Sequence, residues 1–290
     1  MKLGIALPNF GIHASNKNIT GIASAAEELG FDSLWVSDHI VIPDTHKVFG
    51  DTFLEPLTTL AYIAALTKKI MLGTSVLVIP YRNPVVLAKT VSTLDVLSEG
   101  RLIFGIGSGW LKEEFSALGA AYSKRDEITD EHLMVMKELF TSEHPEFRGK
   151  YYSFSNILFE PRPFQKPHPP LWIGGNSKRA LEKVAEFGNG WHGVRLTPEE
   201  IKDCRSYLKE ISNEKYLTIS VRNNIQITNA TQSNKKDLLR GNTDKIVEGF
   251  NLYRNAGVDH LILYILSGDL NGIYKTMEVL AKDIKRQLSI

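Results

Sequence analysis

The sequence predicts an α/β chain folded as one (β/α)8 (TIM) barrel domain over residues 1–290, and three observations carry that expectation. Short apolar, β-rich runs alternate with longer amphipathic runs along the whole chain, as in parallel strands joined by crossover helices. The length of 290 residues suits such a barrel, which typically takes about 250 residues plus insertions. Eight such strand–helix units argue for a barrel over a doubly wound sheet, and the segment Gly100–Trp110 runs a buried strand straight into a turn whose glycines at 105, 107 and 109 leave the backbone bare where a ligand or another chain could come close.

Eight strands are read in order, near Leu3 to Leu7, Ser33 to Val36, Met71 to Val78, Leu102 to Ile106, Leu171 to Ile173, Gly190 to Val194, Leu217 to Ile227 and His260 to Leu266. The last is apolar without alternation, as expected of a strand covered by helices outside and packed side chains inside. Between strands, Leu87, Val91, Leu94 and Leu97 recur at helical spacing. Thr197-Pro-Glu-Glu200 combines a capping hydroxyl, a proline at the first helical position and a carboxylate able to bond back. Gly30-Phe-Asp-Ser-Leu and Gly257-Val-Asp-His-Leu each close a helix with glycine and enter a strand. The irregular stretch from Ser142 to Pro170 holds six of the 12 prolines and is expected to be a proline-rich insertion between strands 4 and 5. A short hairpin around Tyr151 and Phe154 fits there. With a helix at about 127 to 141 before it, the stretch is expected at the end opposite the active site, or along the side.

Composition excludes several classes of function. With 34 basic against 33 acidic side chains and no basic run, neither nucleic acid nor an anionic membrane is an expected partner. One cysteine, Cys204, in a polar helical stretch, leaves no disulfide framework or cysteine-rich metal site. No stretch approaches the roughly 20 apolar residues of a spanning helix. The apolar run before Pro8 is too short for a signal-peptide core, so a cytoplasmic protein is expected. The histidines are scattered without His-x-x-x-His spacing, and the cluster Asp126, Glu127, Asp130 and Glu131 reads as a helix N-terminal turn, so no metal site is expected. Gly107-Ser-Gly109 lacks the frame of a serine nucleophile elbow. An organic cofactor is the remaining economical reading.

Barrel enzymes place their chemistry at strand C-termini. Strand 2 ends in Asp38-His39, which can hold a polar ligand edge or relay a proton, with a turn capped by Asp38 as the plainer alternative. Strand 3 ends with the hydroxyls Thr74 and Ser75, and Asn83-Pro84 opens the next helix. Strand 4 ends in Gly107, Ser108, Gly109 and Trp110. A dinucleotide fingerprint needs a small residue where Trp110 stands, so the turn suits a planar heteroaromatic ring better than a bare phosphate. A tight turn with a core tryptophan is the other reading. Strand 5 ends in Gly174, Gly175, Asn176 and Ser177, followed by Lys178 and Arg179. Free backbone N–H groups at a helix start, with two cations opposing the helix dipole, predict a phosphate or carboxylate site, against an ordinary strand-to-helix turn. Strand 6 adds Gly188-Asn-Gly-Trp-His192.

Taken together, these strand ends resemble the luciferase-like flavin and deazaflavin oxidoreductases. The resemblance rests on six motifs in order: Leu3–Phe10, Ala25–His39, Leu72–Val76, Asn83–Lys89, Leu94–Leu102 and Pro169–Ser177. It implies a bacterial-luciferase-like barrel, similar to the branch assigned coenzyme F420, with His39 at the deazaflavin edge. It also implies a non-proline cis peptide from Ser75 to Val76 behind the ring, and the Gly174-Gly175 turn near the cofactor phosphate. Relatives that oxidise a sugar phosphate carry a glutamate in the glycine turn, where this chain has Trp110. That reaction is therefore not expected here, and Glu113 or Glu114 lies one helical turn later.

The expected protein is an oxidoreductase that uses F420 for hydride transfer to or from a small organic substrate. His39, Asp38 and Trp110 are expected at the reaction, and His39, Thr74, Ser75, Val76, Asn83, Gly107, Ser108, Gly109, Gly174, Gly175, Asn176 and Ser177 at the cofactor. The alternatives are an FMN-dependent two-component monooxygenase, a non-catalytic flavin-binding barrel, and a cofactor-free isomerase. The last lacks a clear base at the mouth. A homodimer is implied by the family, with a flavin or F420 reductase as partner if the cofactor arrives reduced.

Overall fold

The structure is a computed structural model that describes the chain except residues 45, 47–49, 214, 230–238 and 289–290. Eight parallel strands close on themselves: β1 (Lys2–Ala6), β2 (Ser33–Val36), β3 (Met71–Thr74), β4 (Leu102–Gly107), β5 (Leu171–Gly174), β6 (Gly190–Val194), β7 (Thr218–Ile227) and β8 (His260–Ile265). Each pairs with its neighbours in chain order. Lys2 lies opposite His260 across the β1–β8 seam, and Ser220 opposite both His260 and His192, so no barrel edge is left open.

Eight main helices follow the strands: α1 (Asn16–Glu28), α2 (Pro56–Leu66), α3 (Pro84–Leu97), α4 (Arg125–Thr141), α5 (Lys178–Phe187), α6 (Pro198–Ile211), α7 (Thr243–Asn255) and α8 (Leu270–Val279). Their starts obey local chemistry. Ser15 Oγ accepts from Asn18 N at 3.3 Å, Asn83 accepts from Val85 N and Val86 N, and Thr197 with Glu200 forms the reciprocal capping box the sequence predicts. Among the described residues, no helix is long and apolar enough to cross a membrane.

Buried side chains such as Leu3, Ile5, Leu34, Leu72 and Leu263 pack under the helices, while a second cluster including Trp35, Ile103, Trp172 and Ile262 fills the barrel. Trp35 and Trp172 stack there with ring centroids 5.2 Å apart. Gly73 makes room for this layer, because a Cβ on it would lie 2.4 Å from Trp35 Cε3.

Strand 3 departs from expectation. It stops at Thr74, the Ser75–Val76 peptide is cis, and a short continuation Leu77–Val78 pairs with Ile106 and Gly107.

The proline-rich stretch forms a hairpin of Phe147–Arg148 against Ser153–Phe154, with Tyr151 in its turn. Glu131 on α4 accepts from the backbone N–H groups of Lys150, Tyr151 and Tyr152 at 2.7–2.9 Å. Further on, Gln165 bonds Asp95 and the Leu102 carbonyl, which brings this stretch to the N-terminal end of β4, away from the strand C-termini.

Candidate active site

A cavity of about 770 Å³ opens at the C-terminal end of the barrel, with lining residues from all eight strands or the turns that follow them. His39, Ser75, Val76, Gly107, Ser108, Gly109, Trp110, Gly174, Gly175 and Ser177 line it, as does Asp38.

Glu114 organises one wall. It sits on the short helix Lys112–Ala117, fully buried, with Oε2 2.7 Å from His39 Nδ1 and 2.9 Å from the Tyr81 hydroxyl. Its Oε1 accepts from Ile40 N at 2.5 Å and Val41 N at 3.2 Å. Burial alone would raise the carboxyl, but the bonds from His39 and the Ile40 N–H, with Tyr81, outweigh it and hold Glu114 below its ordinary 4.5. An ionised Glu114 accepts a hydrogen bond from His39 Nδ1–H, which leaves Nε2 as the nitrogen for proton chemistry. The sequence pointed to Glu113 or Glu114 only as a remote acid; the structure places Glu114 directly behind the histidine.

This carboxylate ties stability to pH. Its pKa is lower folded than unfolded, so its contribution is complete above about pH 4.5 and is lost as pH falls through the folded value. Glu114→Gln should therefore flatten the fall of the thermal midpoint on acidification below pH about 5. Parallel midpoint–pH curves for the two proteins would contradict it.

Asp38, expected at the reaction, lines the cavity with its carboxylate held by Arg82. Its Oδ2 accepts from Arg82 Nη1 at 2.6 Å and Val78 N at 2.8 Å, and its Oδ1 from Arg82 Nη2 at 2.9 Å. With both oxygens engaged by a two-pronged guanidinium, Asp38 clamps the strand 2 loop to the turn after strand 3 and is not placed to relay a proton. Three expected cofactor residues do not line the cavity. Thr74 is buried and donates to the Gly105 carbonyl at 2.6 Å, Asn83 caps α3, and Asn176 exchanges hydrogen bonds with the Val194 backbone, tying the β5 turn to β6. In each, a nearer backbone partner takes the polar group.

The two cations expected at the β5 turn do not face the cavity. Lys178 Nζ lies over the Tyr207 ring at 5.3 Å, and Arg179 pairs with Asp130 and Glu182, so both turn away. Arg195, in the left-handed region at φ 54°, lines the cavity instead, beside Ser177 and Ala180 at the N-terminus of α5. Lys183, 2% exposed, bonds Asp130 and the Asp126 carbonyl, giving this acidic cluster a structural partner at the cavity edge.

Sequence reading missed Arg222 altogether. Midway along β7, its Nη1 donates to Ser37 Oγ at 2.8 Å and the Ser75 carbonyl at 3.1 Å, and its guanidinium lies 5.3 Å from the Tyr264 ring centroid. Burial lowers its pKa, and among the described residues it forms no ion pair. Its strand also carries Thr218, Ser220, Asn223, Asn224 and Gln226, so nothing in the sequence set Arg222 apart. Opposite it, Tyr264, Phe10 and Phe53 stack in series, His39 meets Phe53 edge-on at 5.1 Å, and Trp110, 54% exposed, stands at the rim 6.1 Å from His39.

The site meets a physical test for a planar, anionic cofactor. Gly107 and Gly174 close against Val76, where added Cβ atoms would fall 2.8 and 2.7 Å from its methyl groups. Val76 thus fills the space beside both glycines, and the cavity it lines is shared by Arg222, which among the described residues forms no ion pair, and by Ser177 and Ala180 at the N-terminus of α5. Among the described residues, no group of three or more His, Cys, Asp or Glu side chains could hold a metal ion.

A parallel barrel with a large cavity at its strand C-termini is the scaffold of many enzymes, whose chemistry is set by the residues at that mouth. The sequence profile of the luciferase-like monooxygenases matches residues 1–260, and the chain belongs to that family of oxidoreductases. An uncharacterised protein of Mycobacterium tuberculosis is 31% identical over 196 residues, covering 62% of this chain and 69% of its own. An F420-dependent glucose-6-phosphate dehydrogenase of Amycolatopsis mediterranei is 32% identical over 179 residues, covering 60% of this chain and 52% of its own. An FMNH2-dependent dimethylsulfone monooxygenase of Pseudomonas putida is 29% identical over 191 residues, covering 62% and 51%. Among solved structures, a monooxygenase from Streptomyces bottropensis shares the fold with a TM-score of 0.85 at 21% identity, covering 99% of this chain and 100% of its own.

Proposed function

We propose that this chain is a cytoplasmic oxidoreductase that uses F420 for hydride transfer to or from a small organic substrate. The observation that carries the reading is the Glu114-anchored His39 at a large cavity that is also lined by Arg222, which among the described residues has no carboxylate partner. When bound, F420 gives or accepts a hydride at C5. His39 Nε2 would take the hydroxyl proton as an alcohol is oxidised, or return it in the reverse direction, while Glu114 stabilises the imidazolium. Arg222 would meet an electron-rich edge of the ring, and Ser177 with Arg195 its phosphate. The aromatic series Tyr264, Phe10 and Phe53, with Trp110 at the rim, would exclude water and favour apolar substrates.

The FMNH2-dependent relative favours a second reading, a monooxygenase of the same fold supplied by a flavin reductase. Equilibrium titration of the purified protein with oxidised F420 and, separately, FMN distinguishes the two. Tighter F420 binding supports hydride transfer; preference for FMN moves the chain to oxygen chemistry; binding of neither removes the cofactor assignment. A bound cofactor inert to reductants, oxygen and substrates would indicate a binding protein.

A homodimer through α2 and α3 belongs to the same proposal. The outer faces carry exposed Tyr62, Leu66, Val86 and Leu97, while α2 has no charged residue and the two charges of α3, Lys89 and Asp95, bond Glu160 O and Gln165. Apolar helices facing outward call for a cover. Leu66→Glu with Leu97→Glu should halve the mass seen by light scattering; an unchanged mass would contradict this face.

A further inference from the structure

His192, on β6, is wholly buried, its ring nearly parallel to Trp35 with centroids 5.4 Å apart. Its Nδ1 lies 2.8 Å from Ser220 Oγ and its Nε2 2.8 Å from Ser75 Oγ, which lines the cavity. The direction of this chain follows from its far end. Ser220 Oγ also reaches the Trp191 carbonyl at 3.1 Å, and a carbonyl only accepts, so the one Ser220 hydroxyl proton is directed there. The Ser220 oxygen then accepts from His192 Nδ1–H. Burial, with the charges of Arg222 and His260, pushes His192 down to about 3, so the ring is neutral and Nε2 is a lone pair. Nε2 can only accept, and Ser75 Oγ–H supplies the proton.

We propose that His192 is a positioning residue that draws the Ser75 hydroxyl proton inward, so that Ser75 presents an acceptor oxygen to the cavity and recognises an N–H donor on the ring of the bound cofactor. Arg222 reinforces this polarity. Its nearest nitrogen is 3.5 Å from Ser75 Oγ, and it bonds the Ser75 carbonyl, so cation and backbone hold the serine from the other side. The ligand's identity rests on the cofactor reading above; the direction of the Ser75–His192–Ser220 chain does not.

Two measurements test it separately. In ligand-free protein, ¹⁵N-edited NMR of the His192 ring should show protonated Nδ1 and bare Nε2; protonated Nε2 or a doubly protonated ring would overturn the proposal whether or not any cofactor binds. Binding of oxidised FMN and of F420 is then measured for His192→Phe, His192→Gln, Ser75→Ala and the double variant His192→Phe/Ser75→Ala. His192→Phe, which keeps the stacked ring and removes the acceptor, should weaken the tighter-binding cofactor about tenfold, and His192→Gln should restore most of that. In the Ser75→Ala background the His192→Phe effect should vanish. Equal effects in both backgrounds would make His192 merely structural and overturn the proposal. A wild-type protein that binds neither cofactor would instead overturn the cofactor reading, with the NMR result still deciding the orientation of Ser75.

Discussion

Arg222→Met is expected to weaken binding of F420 or FMN about thirtyfold while leaving thermal stability essentially unchanged. Methionine keeps much of the length and apolar stem of arginine but removes the charge. The affinity loss corresponds to about 2 kcal/mol, the usual worth of a hydrogen bond to a charged group. Stability should not fall with it, because a half-buried cation with no carboxylate partner among the described residues is costly to desolvate in the ligand-free protein. Isothermal titration beside thermal melts measures both quantities. An unchanged dissociation constant would mean that Arg222 serves only to tie Ser37 to the Ser75 carbonyl.

Substitution of Glu114 should separate structure from chemistry more sharply. Glu114→Ala leaves the Ile40 and Val41 N–H groups, the Tyr81 hydroxyl and His39 Nδ1 without their buried acceptor, and should destabilise the chain by about 3–5 kcal/mol in urea unfolding. Glu114→Gln keeps the shape, and its Oε1 can still serve the two backbone donors. Its amide NH2 then faces His39 Nδ1, which must become the acceptor, and the ring proton moves to Nε2. With that tautomer His39 cannot take a proton at the cavity. Turnover of whichever substrate the protein accepts should fall about a hundredfold or more, with a stability loss of only about 1 kcal/mol. Full activity in Glu114→Gln would remove His39 from proton transfer.

The barrel was legible because buried parallel strands are apolar runs that can be counted. Gly190–Val194 and Ser33–Val36 match the expected strands residue for residue, whereas strand 3 was read through the cis peptide that interrupts it. His39 was legible from its place at a strand end. Its partner was not, since Glu114 arrives from 75 residues away and its neighbour Glu113 has the same chemistry. The partner of Asp38 was hidden for the same reason, as Arg82 returns to it across 44 residues. Thr74, Asn83 and Asn176 illustrate a local limit: small polar residues at strand ends serve nearby backbone as readily as ligand, and sequence does not separate the two. Lys178 and Arg179 sit in the expected first turn, but helical geometry aims them at Tyr207 and at Asp130.

The most direct test of the central claim is a crystal structure of the protein soaked with F420 and, in parallel, with FMN. A planar ring is expected at the C-terminal mouth, one face on the Ser75–Val76 turn, its edge within hydrogen-bond reach of His39 or Arg222, and its phosphate beside Ser177 and Arg195. A cofactor bound away from His39 and Arg222, or a mouth still vacant at saturating concentrations of both, would contradict it.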